Sequence, residues 1–205
     1  TFNKMVNDEQ ITVQFHVDDL KVSHKEESVL EEFIGYSIAG KVVFTMFDYL
    51  EDVIVEAAKD LKNSRSYYPG NDQLMKVDYD SPSLSTKDAE LFHRHVARLL
   101  FASKRARPDI QVCVAFLCTR VKSPNEQDYK KLGKVISYLK ETVHLPLVIG
   151  ADDSGTLTWN IDASFAVHPD CKSHTGACLT LGHGSVLSIS AKQKINTKSS
   201  TEAEL

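Results

Sequence analysis

Two adjacent carboxylates, Asp18 and Asp19, are the sharpest chemical feature of the chain. Side by side in a tight turn they repel, and a cation or open water is needed to offset that repulsion. Mg²⁺ suits such a pair, because one or two carboxylates can hold it together with phosphate oxygens. An acidic pair is also ordinary turn chemistry, since Asp favours turns on its own account. Four cysteines lie far downstream. Cys113 and Cys118 sit in an apolar stretch and read as small core residues. Cys171 and Cys178 accompany His168, His174 and His183, but the spacing fits no common zinc pattern. No pair forms C-x-x-C, and reduced thiols are the default of an intracellular protein.

The elements around the acidic pair are legible. Ile11–His16 and Leu20–Ser23 are β-rich, so the reading is strand, tight turn, strand, with Asp18 and Asp19 at the tip. Asn7–Gln10 is an earlier turn that pairs Phe2–Val6 with Ile11–Phe15. Lys25–Phe33 has a helical apolar side. Gly35 and Gly40 frame an irregular piece, and Lys41–Met46 is a strand. Leu50, Val53, Ile54 and Ala57 make an i, i+3, i+4, i+7 stripe on a helix over Tyr49–Leu61. Asn63–Ser85 lacks periodicity and reads as a long exposed connection.

A helical block follows. Ser85 caps a helix whose inner face carries Ala89, Phe92, Val96, Leu99 and Leu100. Arg107-Pro108-Asp109 breaks it. Ile110–Val121 is apolar nearly all round and should be the buried helix of the group. Ser123 is the expected cap of the next helix, with Pro124 at its first position and Glu126 three residues on. Tyr129, Leu132, Ile136 and Leu139 face inward, and Pro146 ends the block. Thr156–Phe165, Ala177–Leu181 and Val186–Ser190 read as strands, with Gly182-His183-Gly184 turning between the last two. Ser199, Ser200 and Thr201 precede a final short helix. The reading is an α+β fold.

The chain has 205 residues, of which 42% are apolar and 25% charged, as in ordinary globular proteins. That excludes wholesale disorder and a coiled coil. No run approaches the ~18 apolar residues of a membrane span, so no membrane partner is expected. No basic-then-apolar leader opens the chain. Thr1 and Leu205 both read as cuts. Residues 1–90 hold 9 Lys and Arg against 18 Asp and Glu, whereas residues 91–205 hold 15 against 10. The second half can face an anion such as nucleic acid, or both halves can be ordinary solvated surfaces.

Four stretches, in order, carry a resemblance. The string from Phe15 to His24, centred on His16-Val17-Asp18-Asp19, resembles the Y-V-D-D box of reverse transcriptases in the form written by copia-type LTR retrotransposons. Lys104–Ile110 resembles the T-R-P-D-I signature of the same polyprotein. Tyr129–Thr142 resembles its V-x-R-Y-L-K-G-T helix. Asp162-Ala163-Ser164, with Lys198–Glu204, resembles the opening of its ribonuclease H domain. The resemblance spans nearly the whole chain.

It implies an RNA-directed DNA polymerase with ribonuclease H, a Mg²⁺-dependent nucleotidyltransferase and hybrid nuclease in which Mn²⁺ can stand in. Asp18 and Asp19 would be metal ligands of the polymerase palm. Asp162 and Glu204 would be the first two ribonuclease H carboxylates, on a strand and a helix that can share one metal. Arg94, Arg98, Lys104, Arg105 and Arg107 would line a thumb-like surface against phosphates. Lys130, Lys131 and Lys134 do the same or solvate the outer helix face. The implied divisions are a palm end over 1–62, a connecting loop over 63–85, a helical thumb or connection over 86–146, and the start of an α/β ribonuclease H-like domain over 147–205. The implied partners are RNA, DNA, their hybrid, dNTP in the full-length protein, and the rest of the polyprotein. The implied location is a cytoplasmic particle, the nucleus, or both.

The sequence also departs from that family. The upstream palm aspartate, the fingers and the last two ribonuclease H acids are missing. The passage from Phe33 to Gly35-Tyr36-Ser37 reads as an internal deletion or exon join. Each implied active site is therefore about half present. A non-catalytic nucleic-acid-binding remnant and a non-functional translated relic stand as alternatives.

Overall fold

A computed structural model describes residues 2–6, 9–16, 19–23, 41–58, 65–152 and 154–204. For residues 2–23 the description is of backbone pairing. The expected helix over Lys25–Phe33, the Gly35–Gly40 piece, the join near 33–36 and Asp18 lie outside the described residues.

Strands β1 (Phe2–Val6), β2 (Glu9–His16) and β3 (Asp19–Ser23) form an antiparallel meander. Phe2 stands opposite Val13, and Val6 opposite Glu9. Both turns are thus tighter than expected. Glu9 and Gln10 already belong to β2, and Asp19 opens β3 opposite His16.

The core lies in four helices: α1 (Phe47–Ala57), α2 (Thr86–Ser103), α3 (Gln111–Cys118) and α4 (Glu126–Glu141). Leu50, Val53 and Ala57 of α1 are buried beside Phe92, Val96 and Leu99 of α2. Val114, Phe116 and Leu117 of α3 meet Leu132, Val135, Ile136 and Leu139 of α4 in the same cluster. Each such large side chain contributes about 1.5–3 kcal/mol relative to leaving it in water. Leu100 is a correction, because it is 38% exposed. It follows Leu99 by one helical step of 100°, which turns it off the inner stripe. The stretch 65–85 is irregular as expected, yet Leu74, Met75, Val77 and Leu84 pack on the core. Gly70 is part of that close approach, since a Cβ there would lie 2.8 Å from Cys113 Sγ. Burial pushes the Cys113 thiol up to about 11, in keeping with its reading as a core residue.

Of the four, α2 and α4 start on side-chain caps. Ser85 Oγ accepts from Asp88 N at 3.2 Å. At α4 the cap is Asn125 rather than Ser123. Asn125 Oδ1 accepts from Asp128 N at 2.9 Å, and Asp128 Oδ2 accepts from Asn125 N at 3.1 Å, a reciprocal capping box. The start shifts because Ser83 and Asn125 form a β-bridge. Leu84 N donates to Pro124 O and Glu126 N to Pro82 O. That pairing holds 124–125 extended, so the helix begins at Glu126. Between α2 and α3, Pro108 opens a 3₁₀ turn (Pro108–Ile110), where its missing N–H costs nothing.

Two further antiparallel sheets complete the α+β fold. One has the order β4 (Lys41–Phe44), β5 (Leu147–Ala151), β8 (Gly182–His183). The other is a meander of β6 (Thr158–Ser164), β7 (His174–Thr180) and β9 (Leu187–Lys192). The Gly182-His183-Gly184 turn is therefore also a short strand on β5. Gly184 has φ +66°, and a Cβ there would lie 1.9 Å from Val148 O. Only glycine fits that approach. Helix α5 (Ser200–Glu204) packs on β6.

Candidate functional site

The β6–β7–β9 sheet has two unlike faces, and strand alternation assigns each side chain to one of them. Trp159 stands opposite Leu179, and Leu179 opposite Leu187. Ile161 stands opposite Ala177, and Ala177 opposite Ile189. This face is apolar yet open, with Ile161 62% and Trp159 47% exposed. The other face carries Asn160, Asp162 and Ser164 on β6, His174 and Cys178 on β7, and Ser188 and Ser190 on β9. It lines a cleft of about 480 Å³ against Gln111 and Val112 of α3. Gln111 Nε2 donates to Ser188 O at 2.9 Å and fixes the helix to the sheet edge.

Asp162 is exposed in this cleft, opposite Gly176, where the missing side chain leaves room. Its Oδ1 accepts from Ala163 N at 2.9 Å. Glu204 is exposed on α5, which packs on β6, so the two acids ride on neighbouring elements. Ser199 Oγ accepts from Glu202 N at 3.2 Å and starts that helix. Gln193 Nε2 ties it down, donating to Ala203 O at 2.7 Å and to Thr175 Oγ1 at 2.9 Å. Thr175 lies on the face opposite Asp162, and Glu204 does not line the cleft. Among the described residues no three of His, Cys, Asp and Glu gather as a metal-holding group. The described residues thus do not themselves assemble a Mg²⁺ cage, which needs several ligands in near-octahedral array. Asp18 lies outside the described residues, and Asp19 stands opposite His16 in the β2–β3 pair.

The basic candidates separate. Arg107 is 1% exposed and faces no solvent phosphate. Its Nη2 donates to Asp109 Oδ2 and Thr142 Oγ1, both at 2.7 Å, and its Nη1 to Thr142 O at 2.9 Å. That is a correction to the thumb-like surface, and its cause is pairing: an arginine can be buried when its donors are all met. Arg98 is engaged by Glu56 and lies 5.3 Å from the Tyr49 ring centroid. Arg94 also meets Glu56, at 3.3 Å, but stays largely exposed. Lys104 and Arg105 are exposed, and the Arg105 guanidinium sits 3.8 Å over the Phe101 ring. Lys131 Nζ lies 4.6 Å over the Phe116 ring, and burial lowers its pKa.

Two of the histidines set aside as a zinc site, His168 and His174, do come together, and they do so with Ser190. His168 Nε2 lies 3.0 Å from His174 Nδ1, and His174 Nε2 lies 2.7 Å from Ser190 Oγ. His168 is 3% exposed and stacks on Phe116. No spacing rule announces this cluster, because a turn and two strands bring it together.

Burial, reinforced by His174 and Lys192 and opposed by Asp170, lowers the His168 pKa to about 4, and burial lowers that of His174. A histidine held neutral stabilises the fold fully above its unfolded pKa near 6.5. That contribution falls away as pH drops from about 6.5 through 4. For His168 the loss by pH 4 is about 3 kcal/mol. Thermal unfolding at pH 7, 5.5 and 4 checks this, and the steep part of the decline should be absent in His168→Phe.

Comparison with protein-family models, curated proteins and solved structures finds no match to this chain. Among the described residues no helix is long and apolar enough to cross a membrane.

Proposed function

We propose that this chain is a piece of a copia-type retrotransposon Pol polyprotein, an RNA-directed DNA polymerase with ribonuclease H. It covers the palm end, a helical thumb or connection, and the start of ribonuclease H. The observation that carries the reading is the order of the four motif stretches along one chain. The fold is compatible with it. Asp19 opens β3 opposite His16. Asp162 lies on the first strand of an antiparallel meander, and Glu204 on the helix packed against that strand. RNA, DNA and their hybrid are the partners on this reading, with Mg²⁺ or Mn²⁺ supplying charge neutralisation at phosphate oxygens in the whole polyprotein.

On this reading the 205 residues alone should be inert, because the resemblance assigns them only two acids of each site, Asp18 with Asp19 and Asp162 with Glu204. Incubated with a primed template and dNTP, or with an RNA–DNA hybrid, in Mg²⁺ or Mn²⁺, they should yield no extension and no cleavage. Primer extension that disappears in Asp18→Asn would sink this expectation. The native polypeptide carrying the sequence should cleave the hybrid, and Asp162→Asn should lower that rate at least a hundredfold. Hybrid cleavage indifferent to Asp162→Asn contradicts the assignment.

A specific observation favours a second reading, a binding remnant without catalysis. Lys104 and Arg105 are exposed at the end of α2, and Arg105 lies over the half-exposed Phe101 ring, a combination that suits phosphates and bases. Hybrid binding by the 205 residues that weakens steeply with salt and in Arg105→Ala, but not in Asp162→Asn, selects it.

A further inference from the structure

We propose that Ser190 is an acyl-accepting nucleophile, with His174 as its base and His168 as the positioning residue behind it, and that the cleft beside α3 takes small neutral or cationic carboxylic esters. This proposal stands apart from the polyprotein reading and uses none of its motifs. The geometry is an ordered line: hydroxyl, Nε2 and Nδ1 of one imidazole, then a second acceptor. Ser190 Oγ is 2.7 Å from His174 Nε2, and His174 Nδ1 is 3.0 Å from His168 Nε2. A nucleophile, its base and a group orienting the base at hydrogen-bond distance define this kind of site on any fold.

The surroundings hold the line rigid. His174 sits on β7 and Ser190 on β9, on one face and one register step apart. His168 is clamped in a tight turn, where its N donates to Lys172 O at 3.1 Å and its O accepts from Cys171 N at 2.8 Å. Cys171 takes φ +58° to close that turn. Phe116 stacks on the His168 ring with an interplanar angle of 17°. Ser188 lies two residues from Ser190 on the same face, yet its hydroxyl meets Ser185 Oγ at 2.6 Å instead of an imidazole. It is a built-in control.

The chemistry requires His174 protonated on Nδ1, donating to His168 Nε2. His168 then carries its own proton on Nδ1, which is buried without a partner among the described residues. Burial keeps both rings neutral at pH 7, so His174 is ready to accept. Ser190 Oγ attacks the ester carbonyl while its proton passes to His174 Nε2. The tetrahedral oxyanion then collapses, the C–O bond to the alcohol breaks, and His174 returns the proton to the leaving alkoxide. Water repeats the two steps and releases the acid. Asn160 lines the same cleft with an amide donor for the oxyanion, and Gln111 Nε2, which gives one N–H to Ser188 O, has a second. Asp162 in that cleft disfavours anionic esters. Because His168 is a neutral acceptor and not a carboxylate, it supports the His174 imidazolium weakly, which slows acylation and deacylation alike.

The test is covalent labelling of the 205-residue chain with a fluorophosphonate probe, read by intact mass and peptide mapping. One adduct is expected, on Ser190. It should vanish in Ser190→Ala and slow at least a hundredfold in His174→Gln. His168→Phe keeps a ring on Phe116 and removes the acceptor, and it should slow labelling about tenfold while melting cooperatively. Among the described residues, the charged groups around the histidine pair are Lys192 and Asp170, joined to each other at 2.7 Å, Arg120 in the hollow beside His168, and Asp162 in the cleft that His174 and Ser190 line. Labelling rate should therefore follow His174 deprotonation below pH 6.5 and level off above it. His168→Asp should keep labelling and move that midpoint upward, which a purely structural role for His168 would not produce. No Ser190 adduct on the folded chain, equal labelling of Ser188 and Ser190, or a rate indifferent to His174→Gln overturns the proposal.

Discussion

Arg107→Ala should lower the unfolding free energy by about 2–3 kcal/mol, below the full range for a buried ion pair because Asp109 is open to water while Arg107 is not. Arg107 is 1% exposed, so its loss opens a void and strands its partners together. Asp109 loses the bonds from Nε at 3.0 Å and from Nη2 at 2.7 Å, and keeps the one from Tyr138 OH at 2.8 Å. Burial and the Asp109 carboxylate raise the Tyr138 pKa, as expected for a phenol donating into a carboxylate. Thr142, the C-cap of α4, loses its cation where helix carbonyls end unpaired. One side chain thus joins the α2–α3 turn to the far end of α4. Arg107→Lys should cost less than alanine but remain clearly destabilising, because a point charge replaces a planar fork. Urea unfolding checks both. Arg107→Met combined with Asp109→Leu should be less destabilising than the two single effects added, since neither charge is then left alone.

Asp128→Ala should cost about 2–4 kcal/mol, combining a lost cap with a broken buried pair. Asp128 is fully buried, and its Oδ2 accepts both Asn125 N and Arg120 Nε, at 3.1 and 3.0 Å. Alanine leaves Asn125 N and the Arg120 guanidinium without that acceptor at the first turn of α4. Asp128→Asn keeps the shape and one acceptor oxygen, and should recover a substantial part of the loss. The same denaturant series measures it, with the midpoint falling at nearly constant slope if the unfolded state is unchanged.

These two residues also show where sequence reading works and where it stops. The apolar stripes of α1, α2 and α4 were legible because period 3.6 is a local property. The near all-round apolarity of Ile110–Val121 likewise announced a buried helix, which forms over Gln111–Cys118 with Val112 turned outward. The α4 cap was read two residues early because the Ser83–Asn125 bridge is a nonlocal contact. Strand β5 was missed for the same reason. It has five residues, and its partner β4 lies about a hundred positions earlier in the chain. Arg107 looked like a surface cation because charge alone does not reveal a partner two residues on and another on α4. In the candidate site, Asp162 falls in the cleft that its strand position allows. The Ser190–His174–His168 line had no signature, since the turn at 168–172 and the β7–β9 register create it.

The central claim is that this sequence belongs to a larger polymerase–ribonuclease H polypeptide. An antibody raised against the Glu126–Glu141 segment, followed by intact mass of the captured native protein, tests it most directly. The account predicts a product several times larger than the 22.9 kDa of this chain. A native product of about 22.9 kDa contradicts it.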